Sequence, residues 1–114
     1  MDELGIIFHI LDSVEEVGRE NSLSKVSKVT LEIGEVSGVV DEYLCDCWKW
    51  ASARSKLLDG SELEVEKLPA VTYCENCSEQ YSTVKYGKIC PNCSSDRTYL
   101  LTGNEVSIKE IEAC

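Results

Sequence analysis

The feature that most constrains this chain is a doubled Cys-x-x-Cys motif. The first copy is Cys74-Glu75-Asn76-Cys77, the second is Cys90-Pro91-Asn92-Cys93, and twelve residues separate them. The two-residue gap lets a short turn direct both sulfurs of a motif toward one point. Four thiolates brought together in this way form the tetrahedral cage of a closed structural zinc site. The sequence therefore predicts a zinc site with the four ligands Cys74, Cys77, Cys90 and Cys93.

The loop between the two motifs, residues 78–89, is mostly polar and has too little apolar material to form a core alone. Metal binding would supply the missing stability, because binding energy becomes folding energy where the site exists only in the folded state. Two disulfides or four unrelated thiols are the structural alternatives. A four-cysteine iron site for electron transfer is the chemical alternative. Ser78 and Ser94 disfavour it, since they replace the glycines that free amides to bond the sulfurs.

Length and cysteine use indicate a small protein of a reducing compartment. A chain of 114 residues is one domain, or a small domain that carries a smaller module. It has no long apolar run, so we expect no membrane span. Its start is acidic where a secretion signal would be basic. Three of its seven cysteines, Cys45, Cys47 and Cys114, lie outside the motifs. Free thiols suit the cytosol, and we predict a cytoplasmic protein.

The charge distribution argues against nucleic-acid binding. Residues 1–69 hold 15 acidic and 7 basic side chains, residues 70–103 hold 3 of each, and residues 104–114 hold 3 acidic and 1 basic. Zinc ribbons that bind nucleic acid need a basic face to neutralise phosphates. Four thiolates on a divalent metal would add negative charge to the neutral segment. We therefore expect no nucleic-acid partner, and an acidic surface that suits cations or a basic protein.

Hydrophobic periodicity predicts two helices and two strands before the cysteine motifs. Apolar side chains at three- and four-residue intervals indicate helices from Glu3 to Glu20 and from Asp41 to Leu58, with Asp2 as the N-cap of the first. The predicted apolar face of the first helix carries Leu4, Ile7, Phe8, Leu11, Val14 and Val17. Alternation of apolar and polar residues indicates strands from Lys28 to Ile33 and from Glu62 to Leu68.

The remaining elements complete the predicted fold. Residues 97–101 read as a strand of the cysteine module, and Val106 and Ile108 belong to a last strand that returns to the first sheet. Because each strand has one polar face, both helices are expected on one side of a three-stranded sheet. The sequence thus predicts an α+β fold. In it, residues 70–103 form a zinc-ribbon module inserted into an α/β domain of residues 1–69 plus 104–114.

No other constellation predicts a metal site or an active site. Cys45 and Cys47 are two residues apart on a helix, so their side chains diverge and cannot share an ion. His9, the only histidine, lies about 10 Å along the helix from Asp2, too far for one metal to bridge. No nucleophile with a histidine base and no phosphate-binding loop is present, and we expect no enzymatic activity.

The order of elements resembles that of the HypA/HybF nickel metallochaperones, which mature [NiFe]-hydrogenases. The segments that carry this resemblance are Asp2-Glu3-Leu4, residues 33–39, residues 58–64, the two cysteine motifs, and residues 103–106. The resemblance implies that residues 1–69 plus 104–114 form a nickel domain. It also implies that Met1, Asp2 and Glu3 hold nickel at the amino terminus. The implied partners are a nickel-inserting GTPase and the hydrogenase large subunit, and the expected assembly is a monomer or a dimer.

The chain departs from the family pattern at the nickel end. The usual start is Met-His-Glu, whereas position 2 here is aspartate, and a carboxylate is a poorer nickel ligand than an imidazole. Three hypotheses follow. The chain is a nickel metallochaperone that uses Asp2, an adaptor paralogue that docks to maturation partners without tight nickel binding, or a small electron carrier with iron in the four-cysteine site.

Overall fold

The computed structural model describes residues 2–114, which form three helices and two three-stranded sheets. This confirms the predicted α+β class with two main helices, a three-stranded sheet and an inserted four-cysteine module. The helices are α1 (Glu3–Glu20), α2 (Asp41–Ser52) and α3 (Thr83–Tyr86). The strands are β1 (Val26–Gly34), β2 (Glu62–Leu68), β3 (Val71–Cys74), β4 (Gln80–Ser82), β5 (Thr98–Thr102) and β6 (Val106–Ala113). Of the helices in residues 2–114, none combines the length and apolarity needed to cross a bilayer.

The chain divides into two compact units. The first comprises the described residues of Met1–Glu32 together with Val39–Glu66 and Ser107–Cys114, and the second comprises Ile33–Gly38 and Lys67–Val106. The first contains both long helices, and the second contains all four motif cysteines. The predicted division at residues 70 and 103 stays a prediction.

Helix α1 begins and ends as its sequence predicts. The Asp2 carboxylate accepts a hydrogen bond from the Gly5 amide at 3.1 Å, so it caps one of the free N–H groups of the first turn. The buried stripe includes Ile7, Ile10 and Val14. Phe8, which the spacing places on the inner face, is instead 43% exposed. The apolar face is therefore rotated toward Ile10 relative to the prediction.

Strand β1 is the central strand of the first sheet, whose order is β2-β1-β6. Val29, Leu31 and Ile33 are fully buried, as the alternation predicts. Lys28 of β1 lies in a salt bridge with Glu64 at 2.6 Å, and Lys109 of β6 pairs with Glu66 at 2.8 Å. One face of the sheet is thus apolar and buried, and the other carries exposed ion pairs.

Helix α2 is shorter than predicted, ending at Ser52 rather than at Leu58. Beyond it the Ser55 amide bonds the Ser52 carbonyl at 3.0 Å, three residues back, which is a turn rather than an α-helical bond. The Ser55 hydroxyl accepts from the Leu58 amide and donates to Glu15 at 2.7 Å. The Ser55 side chain thus takes up a backbone amide that would otherwise continue the helical hydrogen-bonding pattern. Leu58 is therefore buried from a turn rather than from a helix.

The second unit contains the sheet β4-β3-β5, in which β3 is central and both pairings are antiparallel. Gly34 and Gly103 approach each other so closely that a Cβ on Gly34 would overlap the Gly103 backbone. Glycine is therefore required at position 34, where the Gly34 amide also bonds the Glu105 carbonyl at 2.7 Å. The Glu35 carboxylate accepts from the Ala70 amide at 2.8 Å and fixes the start of the segment that leads to β3.

Candidate metal centre

The four motif cysteines come together in the second unit. Their sulfur atoms all lie within 4.8 Å of one another. The Cys74 and Cys93 sulfurs are 3.6 Å apart, and the Cys77 and Cys90 sulfurs are also 3.6 Å apart. A tetrahedral site with zinc–sulfur bonds of about 2.3 Å has sulfur–sulfur edges of about 3.8 Å, so the cluster has the dimensions of such a site. All seven cysteines are free thiols, which is inconsistent with the disulfide alternative.

Two turns of the same form place these sulfurs. The Ser78 amide bonds the Cys74 carbonyl at 2.9 Å, and the Ser94 amide bonds the Cys90 carbonyl at 2.9 Å. Ser78 and Ser94 adopt left-handed backbone angles, with φ of 64° and 63°. Serine thus takes the conformation that glycine adopts without strain. The turns therefore form without glycine, and the preference for zinc over iron stays a prediction.

The four sulfurs differ in burial and in hydrogen bonding. Cys74 and Cys90 are fully buried, whereas Cys77 and Cys93 are half-buried. Burial raises the pKa of the Cys90 thiol to about 11. The Asn76 side-chain amide donates to the Cys93 sulfur at 3.3 Å, and this bond lowers the pKa of Cys93 to about 6. Four cysteine ligands leave no open position, which is the pattern of a structural site rather than a catalytic one.

The cysteines are also the core of the ribbon. Cys74, Cys90 and Tyr81 form one buried cluster, against which Cys77 and Cys93 pack. The Tyr81 hydroxyl donates to the Gly87 carbonyl at 2.9 Å, which ties the polar loop to this cluster. Tyr81 is thus the only member of the cluster that is not a cysteine. The prediction that metal binding replaces a missing core agrees with this composition.

The predicted nickel residues are described only in part. Met1 lies outside the described residues. Asp2 is exposed, and one of its carboxylate oxygens caps α1. Glu3 is 7% exposed, and its carboxylate accepts from the Val40 amide at 3.1 Å, a bond that lowers the pKa of Glu3. The Glu3 side chain is therefore engaged within the first unit.

The other candidate residues stay separate. Within residues 2–114, the four-cysteine cluster is the one group of three or more His, Cys, Asp or Glu side chains close enough to share an ion. Cys45 and Cys47 lie on α2, and burial raises the pKa of Cys45. His9 and Cys114 are exposed.

Sequence reasoning missed the hydrogen bond from Asn76 to Cys93 and the bond from Val40 to Glu3. Both motifs carry asparagine at the same position, and this repeated Cys-x-Asn-Cys pattern was a signal for the first bond. The second bond joins residues 37 positions apart and has no local signature.

The fold and the site define a small α+β protein that carries a closed four-cysteine metal site. The sequence model of the family described as hydrogenase/urease nickel incorporation, metallochaperone, hypA matches residues 1–113. The chain therefore belongs to the HypA family of nickel metallochaperones. This confirms the resemblance seen in the sequence.

Similar proteins cover the same length. The hydrogenase maturation factor HypA of Chlorobaculum parvum is 35% identical over 111 residues, which is 97% of each chain. The hydrogenase maturation factor HybF of Klebsiella pneumoniae is 27% identical over 112 residues, 98% of each chain. The solution structure of the nickel metallochaperone HypA from Helicobacter pylori has a TM-score of 0.76 at 21% identity, covering 99% of this chain and 97% of that one. This last likeness shows a shared fold.

Proposed function

We propose that the chain is a nickel metallochaperone that delivers nickel to a [NiFe]-hydrogenase-type enzyme during its maturation, with a structural zinc ion in the ribbon. The observation that carries the proposal is the match of the nickel-incorporation family over residues 1–113. Nickel is the cargo in this proposal, and zinc is the resident metal.

The zinc assignment is supported by the dimensions and the chemistry of the cysteine cluster. Cys74, Cys77, Cys90 and Cys93 would hold the ion, and it would supply a rigid cross-link between the two turns. The closed ligand set offers no coordination position for a substrate. We therefore assign no enzymatic activity to this site.

The nickel assignment rests on the amino terminus. Met1, Asp2 and Glu3 would offer the α-amine, the backbone nitrogens of positions 2 and 3, and the Asp2 carboxylate. The exposure of Asp2 supports this role, because a cargo ion must be able to enter and leave. The hydrogen bond from Gly5 uses one carboxylate oxygen of Asp2. Replacing the family's imidazole with a carboxylate is expected to weaken nickel binding by roughly one to three powers of ten.

The family membership supports a nickel-inserting GTPase and the hydrogenase large subunit as partners. Seven free cysteines support a reducing, cytoplasmic location. The surface charge supports the absence of nucleic acid among the partners, because the formal net charge is −10. The assembly is a monomer or a dimer.

Elemental analysis combined with calorimetric nickel titration tests the proposal. We expect one zinc per chain in the purified protein, and a nickel affinity that weakens in Asp2→Ala and strengthens in Asp2→His. His9→Gln is the matched control, since His9 is the one native histidine and lies exposed on α1, and its nickel affinity should equal that of the wild type.

Two results would reverse the proposal. A dissociation constant no better than millimolar, unchanged in Asp2→His, would contradict a nickel chaperone and favour the adaptor alternative, for which the departure at Asp2 is the supporting observation. A red protein that contains iron in place of zinc would favour the electron-carrier hypothesis.

A further inference from the structure

The two cysteine turns share a sequence pattern, but their asparagines make different hydrogen bonds. In the first turn the Asn76 side chain crosses to the second turn and donates to the Cys93 sulfur at 3.3 Å. Asn92 holds the equivalent position in the second turn. It bonds through its backbone amide to Cys90 of its own turn, at 3.4 Å. Among residues 2–114, neither Asn92 nor another residue donates a side-chain N–H to the Cys77 sulfur.

This difference acts on the two sulfurs that solvent can reach. Cys74 and Cys90 are fully buried, so Cys77 and Cys93 are the half-buried members of the cluster. A hydrogen bond to a thiolate withdraws charge from sulfur and fixes its position. Cys93 therefore has a partner that holds it and reduces its reactivity, while the Cys77 sulfur is contacted by the Cys90 sulfur at 3.6 Å.

We infer that Asn76 is a positioning residue for Cys93, and that the metal centre consequently opens at Cys77. The inference rests on the proposed zinc site. With zinc bound, the Cys77 sulfur would be the first to leave the ion and would take a proton from water or bond to an electrophile, while Cys74, Cys90 and Cys93 would continue to hold the ion. An incoming chelator or thiol reagent thus acts first on the Cys77 side of the cluster.

Residue-resolved alkylation of the zinc-loaded full chain tests the order of opening. Limiting N-ethylmaleimide adds across its carbon–carbon double bond to a cysteine sulfur. The new carbon–sulfur bond replaces the zinc–sulfur bond, and the neighbouring carbon takes a proton from water. Mass spectrometry of the peptides then gives a rate for each cysteine. Cys114, which is exposed and outside the cluster, serves as the internal reference for reagent activity.

In the wild type we expect Cys77 to react about tenfold faster than Cys93, the lower end of the range seen when an outer-shell partner of a metal ligand is lost. In Asn76→Ala this ratio should fall to about one, and zinc transfer to a chelator should accelerate by about tenfold. Asn76→Asp keeps the shape of the side chain but cannot donate a hydrogen bond to the Cys93 sulfur, so it should behave like Asn76→Ala. Asn92→Ala is the matched control, and should keep the wild-type ratio.

The inference is overturned if Cys77 and Cys93 react equally in the wild type, or if Asn92→Ala changes the ratio as much as Asn76→Ala does. The zinc content of each sample separates this failure from that of the proposed function. Equal rates with one zinc per chain refute the order of opening alone. A wild-type chain that binds no zinc refutes the zinc assignment, and the inference fails with it.

Discussion

Removal of the metal is expected to unfold the cysteine ribbon and leave the first unit folded. The buried cluster of the ribbon consists of Cys74, Cys90 and Tyr81, with Cys77 and Cys93 packed against it. The first unit has its own apolar core, which contains eight fully buried large side chains: Ile7, Val14, Val26, Val29, Leu31, Leu44, Trp48 and Leu58. The two units should therefore respond differently to a chelator.

The magnitude follows from the composition of the cluster. Burying one aromatic side chain such as Tyr81 contributes about 2–3 kcal/mol. A structural zinc ion bound by a small domain contributes about 10–16 kcal/mol near neutral pH. The free energy contributed by the metal is thus several times larger than the free energy gained by burying Tyr81. Without the metal, the conformational entropy of residues 74–98 has no comparable opposing term.

Hydrogen exchange with mass spectrometry resolves the two units. In excess chelator, with zinc loss verified by elemental analysis, the amides of residues 74–98 should exchange at the rates of an unfolded chain. Those of α1 should keep their protection. Both tryptophans, Trp48 and Trp50, lie in α2, so their fluorescence independently reports on the first unit. Cys90→Ser, which removes a fully buried ligand, should reproduce the chelator result, and Cys114→Ser should not. Persistent protection of residues 74–98 in the zinc-free chain would refute this reasoning.

Three further predictions concern stability. Trp48 is 1% exposed and donates through its ring nitrogen to the Ser61 hydroxyl at 3.1 Å, so Trp48→Ala should lower the free energy of unfolding by about 3–5 kcal/mol in urea titrations. The hydrogen bond from the Val40 amide lowers the pKa of Glu3 below 4.5, so the ionised Glu3 carboxylate stabilises the fold above pH 4.5 and this stabilisation is lost as the pH falls through the folded-state pKa. The thermal unfolding temperature of Glu3→Gln should therefore depend less on pH in this acidic range than that of the wild type. Ser94 adopts a left-handed backbone, which costs an L-residue about 1–2 kcal/mol, and the greater freedom of glycine in the unfolded chain offsets part of what a substitution would gain. Ser94→Gly should therefore raise the unfolding free energy of the zinc-loaded protein by about 0.5–1 kcal/mol. A decrease would contradict the presence of backbone strain at Ser94.

Elements with local signals could be predicted closely from the sequence. Helix α1 begins after an N-cap aspartate, and strand β2 alternates over residues 62–66 and ends before a proline, so both match their predicted bounds. The turn within each pair of cysteines was equally accessible, because the two-residue spacing forces it. In each case the deciding contacts join residues a few positions apart.

Features that depend on distant contacts could not be predicted in this way. Helix α2 ends at Ser52 because Glu15, on α1, accepts a hydrogen bond from the Ser55 hydroxyl and holds the turn that follows the helix. The buried face of α1 depends on which of its side chains the rest of the first unit covers. The spacing of apolar residues alone did not show that Ile10 is buried and Phe8 exposed. The bond between Asn76 and Cys93 requires that the two turns already be assembled.

The substitution at position 2 couples helix stability to ligand quality. Aspartate is among the best N-cap residues, and here Asp2 accepts from the Gly5 amide, whereas the family's histidine offers a better nickel ligand. Glu3, the next residue, is fixed by Val40 at the start of α2, so the first turn is held from both helices. Asp2→His should therefore gain nickel affinity and lose about 0.5–2 kcal/mol of unfolding free energy, while Asp2→Asn should keep the cap and bind nickel more weakly. If Asp2→His bound nickel more tightly without any loss of stability, the cap and the ligand role would be independent.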